Sequence, residues 1–135
     1  MNKIKNAVAY LEIVASFDNI SKKYREVLDD YIEGEPVIMY LPWPIDIVPP
    51  IDRSINCPTL HPSFEELKVV DYYYSLRDTE VRVYICVEQS TSCEDVSCDF
   101  SDEILLQFAK LGFCISLDEK KTIEEILTEK GLMNA

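Results

Sequence analysis

Val69-Val70-Asp71-Tyr72-Tyr73-Tyr74, followed a short distance on by Val81-Arg82-Val83-Tyr84-Ile85-Cys86-Val87-Glu88, decides the fold. Both runs are dense in β-branched and aromatic residues, which suit a pleated, half-buried surface. The polar Arg77-Asp78-Thr79-Glu80 between them is too short for anything but a tight return. The pair therefore predicts an antiparallel hairpin, 68–76 with 81–88. Alternation places Val70, Tyr72, Tyr74 and Leu76 on one face of the first strand. It places Val81, Val83, Ile85 and Val87 on one face of the second.

Helical signals flank this hairpin. Ser21 is an N-cap, and Tyr24, Val27, Leu28, Tyr31 and Ile32 form one apolar stripe, giving a helix over 21–33 with Gly34 as its stop. Ser101-Asp102-Glu103 opens a helix over 102–111, with Ile104, Leu105, Phe108 and Leu111 on its apolar side and Gly112 ending it. Phe113 to Leu117 reads as a further strand, and Thr122 or a neighbour caps a last helix over 121–130. Residues 3–16 fit two patterns. Ile4, Val8, Leu11 and Ala15 recur at helical spacing, while Ala7-Val8-Ala9-Tyr10-Leu11 would also serve as a buried strand; the spacing favours the helix. All seven prolines fall between Pro36 and Pro62. That composition predicts a short strand over 37–41 and then a stiff surface connection within 36–62. Ser63-Phe64-Glu65-Glu66 has the form of a capping box opening a short helical turn. The sum is an α+β domain over 1–135: an antiparallel-rich sheet with helices packed mainly on one face.

Composition narrows the function classes. The chain has 135 residues, 25 acidic against 13 basic, for a formal net charge of −12. Such a surplus repels nucleic acid and anionic membranes and attracts cationic proteins. No run approaches the ~18 apolar residues of a membrane span, and no secretory signal is evident, so the expected location is the cytoplasm. Five cysteines, an odd number in a chain long enough to fold without staples, read as reduced thiols.

Catalytic equipment is thin. Cys57, His61, Cys93 and Cys98 are the only soft-ligand set for zinc, and their loose spacing in proline-flanked loops argues against a site. His61 is the single imidazole available to any Cys–His pair. With three glycines and no phosphate-binding fingerprint, nucleotide cofactors are not expected. The reading is a non-enzyme without cofactor.

Charge distribution carries more. Between Glu26 and Glu119 stand 20 acids and five bases, and from Val83 to Ala109 there is no base at all. That stretch holds Glu88, Glu94, Asp95, Asp99, Asp102 and Glu103, which become the expected partner-binding acids, steering a cationic protein into contact. Trp43, held between Pro42 and Pro44, and Tyr73, turned opposite to Tyr72 and Tyr74, are the expected aromatic anchors. In size, charge, reduced thiols and lack of chemistry the chain resembles the small acidic immunity proteins that bacteria encode beside toxins. No aligned motif carries the likeness. The resemblance implies a basic toxin or effector as partner, with no direct contact to nucleic acid or membrane. The alternatives are a dimeric acidic chaperone of the secretion type, or a nucleic-acid mimic whose carboxylates imitate phosphates.

Overall fold

The computed structural model describes residues 4–32, 34, 36–89, 101–117 and 121–133. Its centre is a mixed five-stranded sheet built from β1 (Asn6–Ala15), β2 (Val37–Trp43), β3 (Ser54–Asn56), β4 (Glu66–Arg77) and β5 (Glu80–Gln89). The order across the sheet is β2-β1-β5-β4-β3. Only β1 and β5 run parallel; the other three pairings are antiparallel. Three helices complete the α+β architecture: α1 (Lys22–Leu28), α2 (Asp102–Leu111) and α3 (Ile123–Glu129).

The first correction concerns residues 3–16, which form a strand and not a helix. β1 lies between β2 and β5, and Leu11 is paired with Leu41 on one side and Ile85 on the other. A slot with hydrogen-bonding edges on both sides is filled only by extended chain, and this tertiary demand overrides a spacing that local reading cannot resolve. Burial follows period two: Ala9, Leu11, Ile13 and Ala15 face the core, while Ile4, needed for the helical stripe, is exposed.

The hairpin forms as expected, with Arg77 paired to Glu80 across a two-residue turn. Asp78 takes a φ of +53°, a left-handed conformation that Asp tolerates better than most residues. A bulge between Val69 and Asp71 shifts the register. One extra residue in one strand moves everything beyond it to the other face. Leu67 and Val69, paired with Gln89 and Val87, therefore fill the core side before the bulge. Past it, Tyr72, Tyr74 and Leu76, opposite Ile85, Val83 and Val81, share that face; Tyr72 packs against the core, while Tyr74 and Leu76 lie beyond its cover and are exposed. Val70, assigned to that face by simple alternation, is the displaced residue.

One core cluster joins Leu67 and Val69 of β4 and Val83, Ile85 and Val87 of β5 to Tyr24 and Leu28 of α1, Ile104, Leu105 and Phe108 of α2, and Ile123, Ile126 and Leu127 of α3. Phe108 is its hub: Phe64 and Phe113 meet it edge-on at centroid separations of 5.2 and 4.9 Å. Each such pair adds about 1 kcal/mol beyond area burial. α2 matches its expected bounds. Ser101 caps it by accepting from the Ile104 N–H, and Gly112 closes it at a φ of +101°. α3 is capped by Thr122, whose hydroxyl accepts from the Glu125 N–H at 3.1 Å.

The helix expected over 21–33 is shorter. It tightens into a 3-10 turn over Asp29–Tyr31 and leaves helical geometry at Ile32, before Gly34. The strand expected at 113–117 is reduced to isolated bridges, in which Cys114 exchanges backbone hydrogen bonds with Tyr40 and also pairs with Thr122. It patches the outer edge of β2 without extending the sheet. The proline-rich segment is more than a connection: β2 runs past the expected 37–41, and β3 at Ser54–Asn56 adds a strand that the proline content did not predict. Pro42 sits in edge strand β2, a 3-10 turn follows at Ile45–Ile47, and the Tyr72 hydroxyl donates to the Pro49 carbonyl, fastening the segment to β4. Ser63 and Phe64 lie in a further 3-10 turn, and β4 begins at Glu66.

Candidate functional site

Strand alternation gathers a different set of side chains on the sheet surface turned away from the core. Register sets Tyr84 beside Tyr10 and opposite Tyr73, and it sets Glu12 between Tyr40 and Cys86. The rings of Tyr73 and Tyr84 stack at 4.6 Å, Tyr10 lies 5.9 Å from Tyr84, and Tyr40 meets Tyr84 edge-on at 5.9 Å. Beside this tyrosine band sits Glu12, only 9% exposed, the one buried acid among the described residues.

The Tyr73 hydroxyl donates to Glu12 Oε2, and the Cys86 thiol lies 3.9 Å from Oε1. Burial, the hydrogen bond to Glu12 and that carboxylate's charge together push the Tyr73 phenol well above its ordinary range. Burial also raises the Cys86 thiol to about 11, helped by the charges of Glu12, Asp71 and Glu88. Three carboxylates from three strands thus act on one sulfur. Two of them, Glu12 and Glu88, border a cavity of about 470 Å³ whose walls also include Val14, Phe64, Val70 and Cys86.

A buried carboxylate is costly unless it is paired and hydrogen-bonded. Here two donors serve Glu12, and neither is a cation. Among the described residues the ion pairs are Lys22–Glu26, Lys68–Asp52, Arg82–Glu80 and Lys121–Glu129, none of which includes Glu12. Nor do the described residues contain a His/Cys/Asp/Glu group placed to hold a metal ion. With lone pairs to spare on the carboxylate and aromatic faces alongside, the chemistry suits an organic cation, a guanidinium above all.

The residues expected from sequence are distributed unevenly around this site. Tyr73 is central, as the donor to Glu12. Glu88 is exposed on the cavity wall. Glu94, Asp95 and Asp99 lie outside the described residues, as do Cys93 and Cys98. Glu103 is exposed in the first turn of α2. Asp102 is engaged internally, since its carboxylate accepts both the backbone N–H of Ser21, at 2.7 Å, and the Ser21 hydroxyl. Ser21 consequently has the backbone of an N-cap but makes no side-chain cap to α1, its hydroxyl being directed to Asp102. Trp43 is half-buried against the core and donates its indole N–H to the Ile47 carbonyl at 3.1 Å, which fixes it as a brace of the proline-rich segment. His61 donates its backbone N–H to Gln107 Oε1 at 2.6 Å.

Glu12, Tyr84 and Cys86 are site residues that sequence reasoning missed. The available signal was an acid alone inside the apolar run Ala7 to Val14, which the helical reading sends to a polar side. Cys86 lies half-buried in the site, whereas Cys114 is buried; both are free thiols, as is Cys57. No known family matches the chain, and comparison with curated proteins and with solved structures likewise finds no match. No helix among the described residues is long and apolar enough to cross a membrane.

Proposed function

We propose that this protein is an acidic cytoplasmic binder of a basic protein, an immunity-type inhibitor that neutralises a toxin or effector by charge-complementary contact. The observation that carries the reading is Glu12: a nine-tenths-buried carboxylate beside a tyrosine band, opening on a cavity and lacking a cationic partner among the described residues. A partner arginine laid on this surface would stack on an aromatic face and place its fork against the carboxylate. The acids between Val83 and Ala109, apart from the internally engaged Asp102, would steer the approach.

Affinity capture from the native cell at low and high salt, with the captured protein purified and its own activity assayed, tests this. Binding should loosen as salt rises, and the partner's activity should fall on binding. Glu12→Gln should weaken the complex by about tenfold or more. Reversal of Asp95, Asp99 and Glu103 together should slow association. A complex indifferent to salt and to Glu12→Gln would sink the proposal. A second reading, the dimeric acidic chaperone, draws on exposed Tyr74, Leu76 and Ile47. It calls for an unfolded client segment, and a folded, inhibited partner would rule it out.

A further inference from the structure

We propose that the outer edge of β4, Asp71–Arg77, pairs antiparallel with the same segment of a second copy of this chain, joining two sheets across a two-fold axis. The inference is independent of the basic-partner reading and requires no ligand. β3 covers only the start of β4, from Glu66 to Lys68, and Asp52 and Arg53 extend that cover to Val69. Past the bulge, no strand of the described residues adjoins this edge. The Tyr72 N–H points outward and is donated to the Asp71 side chain at 2.8 Å, so the backbone groups of Tyr74 and Leu76 face the same way. An edge without proline, lysine or inward charge between Tyr72 and Leu76 is a template for strand addition. Two of its exposed side chains are large and apolar, Tyr74 at 70% and Leu76 at 64%.

Charge selects the occupant. Antiparallel pairing centred on Tyr74 sets Asp71 opposite Arg77 of the partner subunit, and by symmetry makes that pair twice. Tyr72 then falls opposite Leu76 of the partner subunit on the core side of the sheet, and the two copies of Tyr74 face each other. Each opposed pair shares a face, as a continuous sheet demands. A slip of one residue would break that match, and a parallel arrangement would set Asp71 against its own copy. The segment is therefore self-complementary in one register.

Sedimentation equilibrium of the wild-type chain from ~5 to ~200 µM, at physiological salt, should show the mass rising from 15.6 kDa towards twice that value. Tyr74→Pro removes the outward N–H, and Arg77→Asp opposes like charges; each should raise the dissociation constant by about tenfold or more. The exchange Asp71→Arg with Arg77→Asp should restore it to within about threefold, and this rescue separates lost pairing from lost folding. The inference is overturned by a monomer across the whole range, by a dimer indifferent to Arg77→Asp, or by a failed rescue in a double variant whose circular dichroism is native. A monomer whose edge instead takes up an added extended peptide would overturn it too.

Discussion

Replacing Asp102 by alanine separates a structural from a partner-binding role for the acid at the start of α2. Its carboxylate accepts two hydrogen bonds from Ser21, one of them from a backbone N–H at 2.7 Å, across 81 residues of sequence. A hydrogen bond to a charged group contributes about 1.5–3 kcal/mol when buried, and this contact is only partly buried, so the lower end applies. Removing the carboxylate also forfeits about 0.5 kcal/mol of favourable charge at the helix N-terminus. The expected loss is about 2–3 kcal/mol, or roughly 6–12 °C in Tm for a chain of this length. Glu103→Ala, an exposed neighbour with only the dipole contribution to lose, should cost less than about 1 kcal/mol. Asp102→Asn, which keeps an acceptor oxygen, should fall between the two. Thermal and urea unfolding followed by circular dichroism measure all three. If Asp102→Ala were as stable as Glu103→Ala, the tie between α1 and α2 would contribute nothing, and Asp102 would return to the steering surface.

Other consequences are equally direct. Cys86, raised from 9.0 to about 11, should alkylate about 100-fold more slowly at pH 8 than an unperturbed thiol, read site by site by peptide mass spectrometry. Glu12→Gln should recover part of that rate, the remainder being burial and the charges of Asp71 and Glu88; a rapid Cys86 in the wild type would contradict the site as described. The same shift has a pH signature. A group whose acid form is favoured by folding lends its full stability below its unfolded value, so stability should decline between pH 9 and pH 11 and the slope should lessen in Cys86→Ala. Gly112→Ala should cost about 1–2 kcal/mol through its φ of +101° alone, because the added Cβ meets only Leu41 Cδ1 at an ordinary 3.7 Å. A neutral result in unfolding titrations would show that the α2 terminus relaxes.

The amino-acid sequence alone determined the elements whose signals are local: the hairpin, from two β-rich runs about a short polar turn, and α2, from an N-cap, one apolar stripe and a terminal glycine. It also set the charge, and with it the class of partner worth seeking. Tertiary structure decided what depends on neighbours distant in the chain. β1 is a strand because β2 and β5 offer it two hydrogen-bonding edges, and no window of its own residues contains that fact. The bulge at Val70 exchanged the faces of β4, since a single extra residue inverts a period of two. Asp102 became a structural tie because Ser21 lies beside it in space. Glu12 became the centre of the site because β1, β4 and β5 lie side by side, bringing Tyr73 and Cys86 to a carboxylate that the sequence places 61 and 74 residues away.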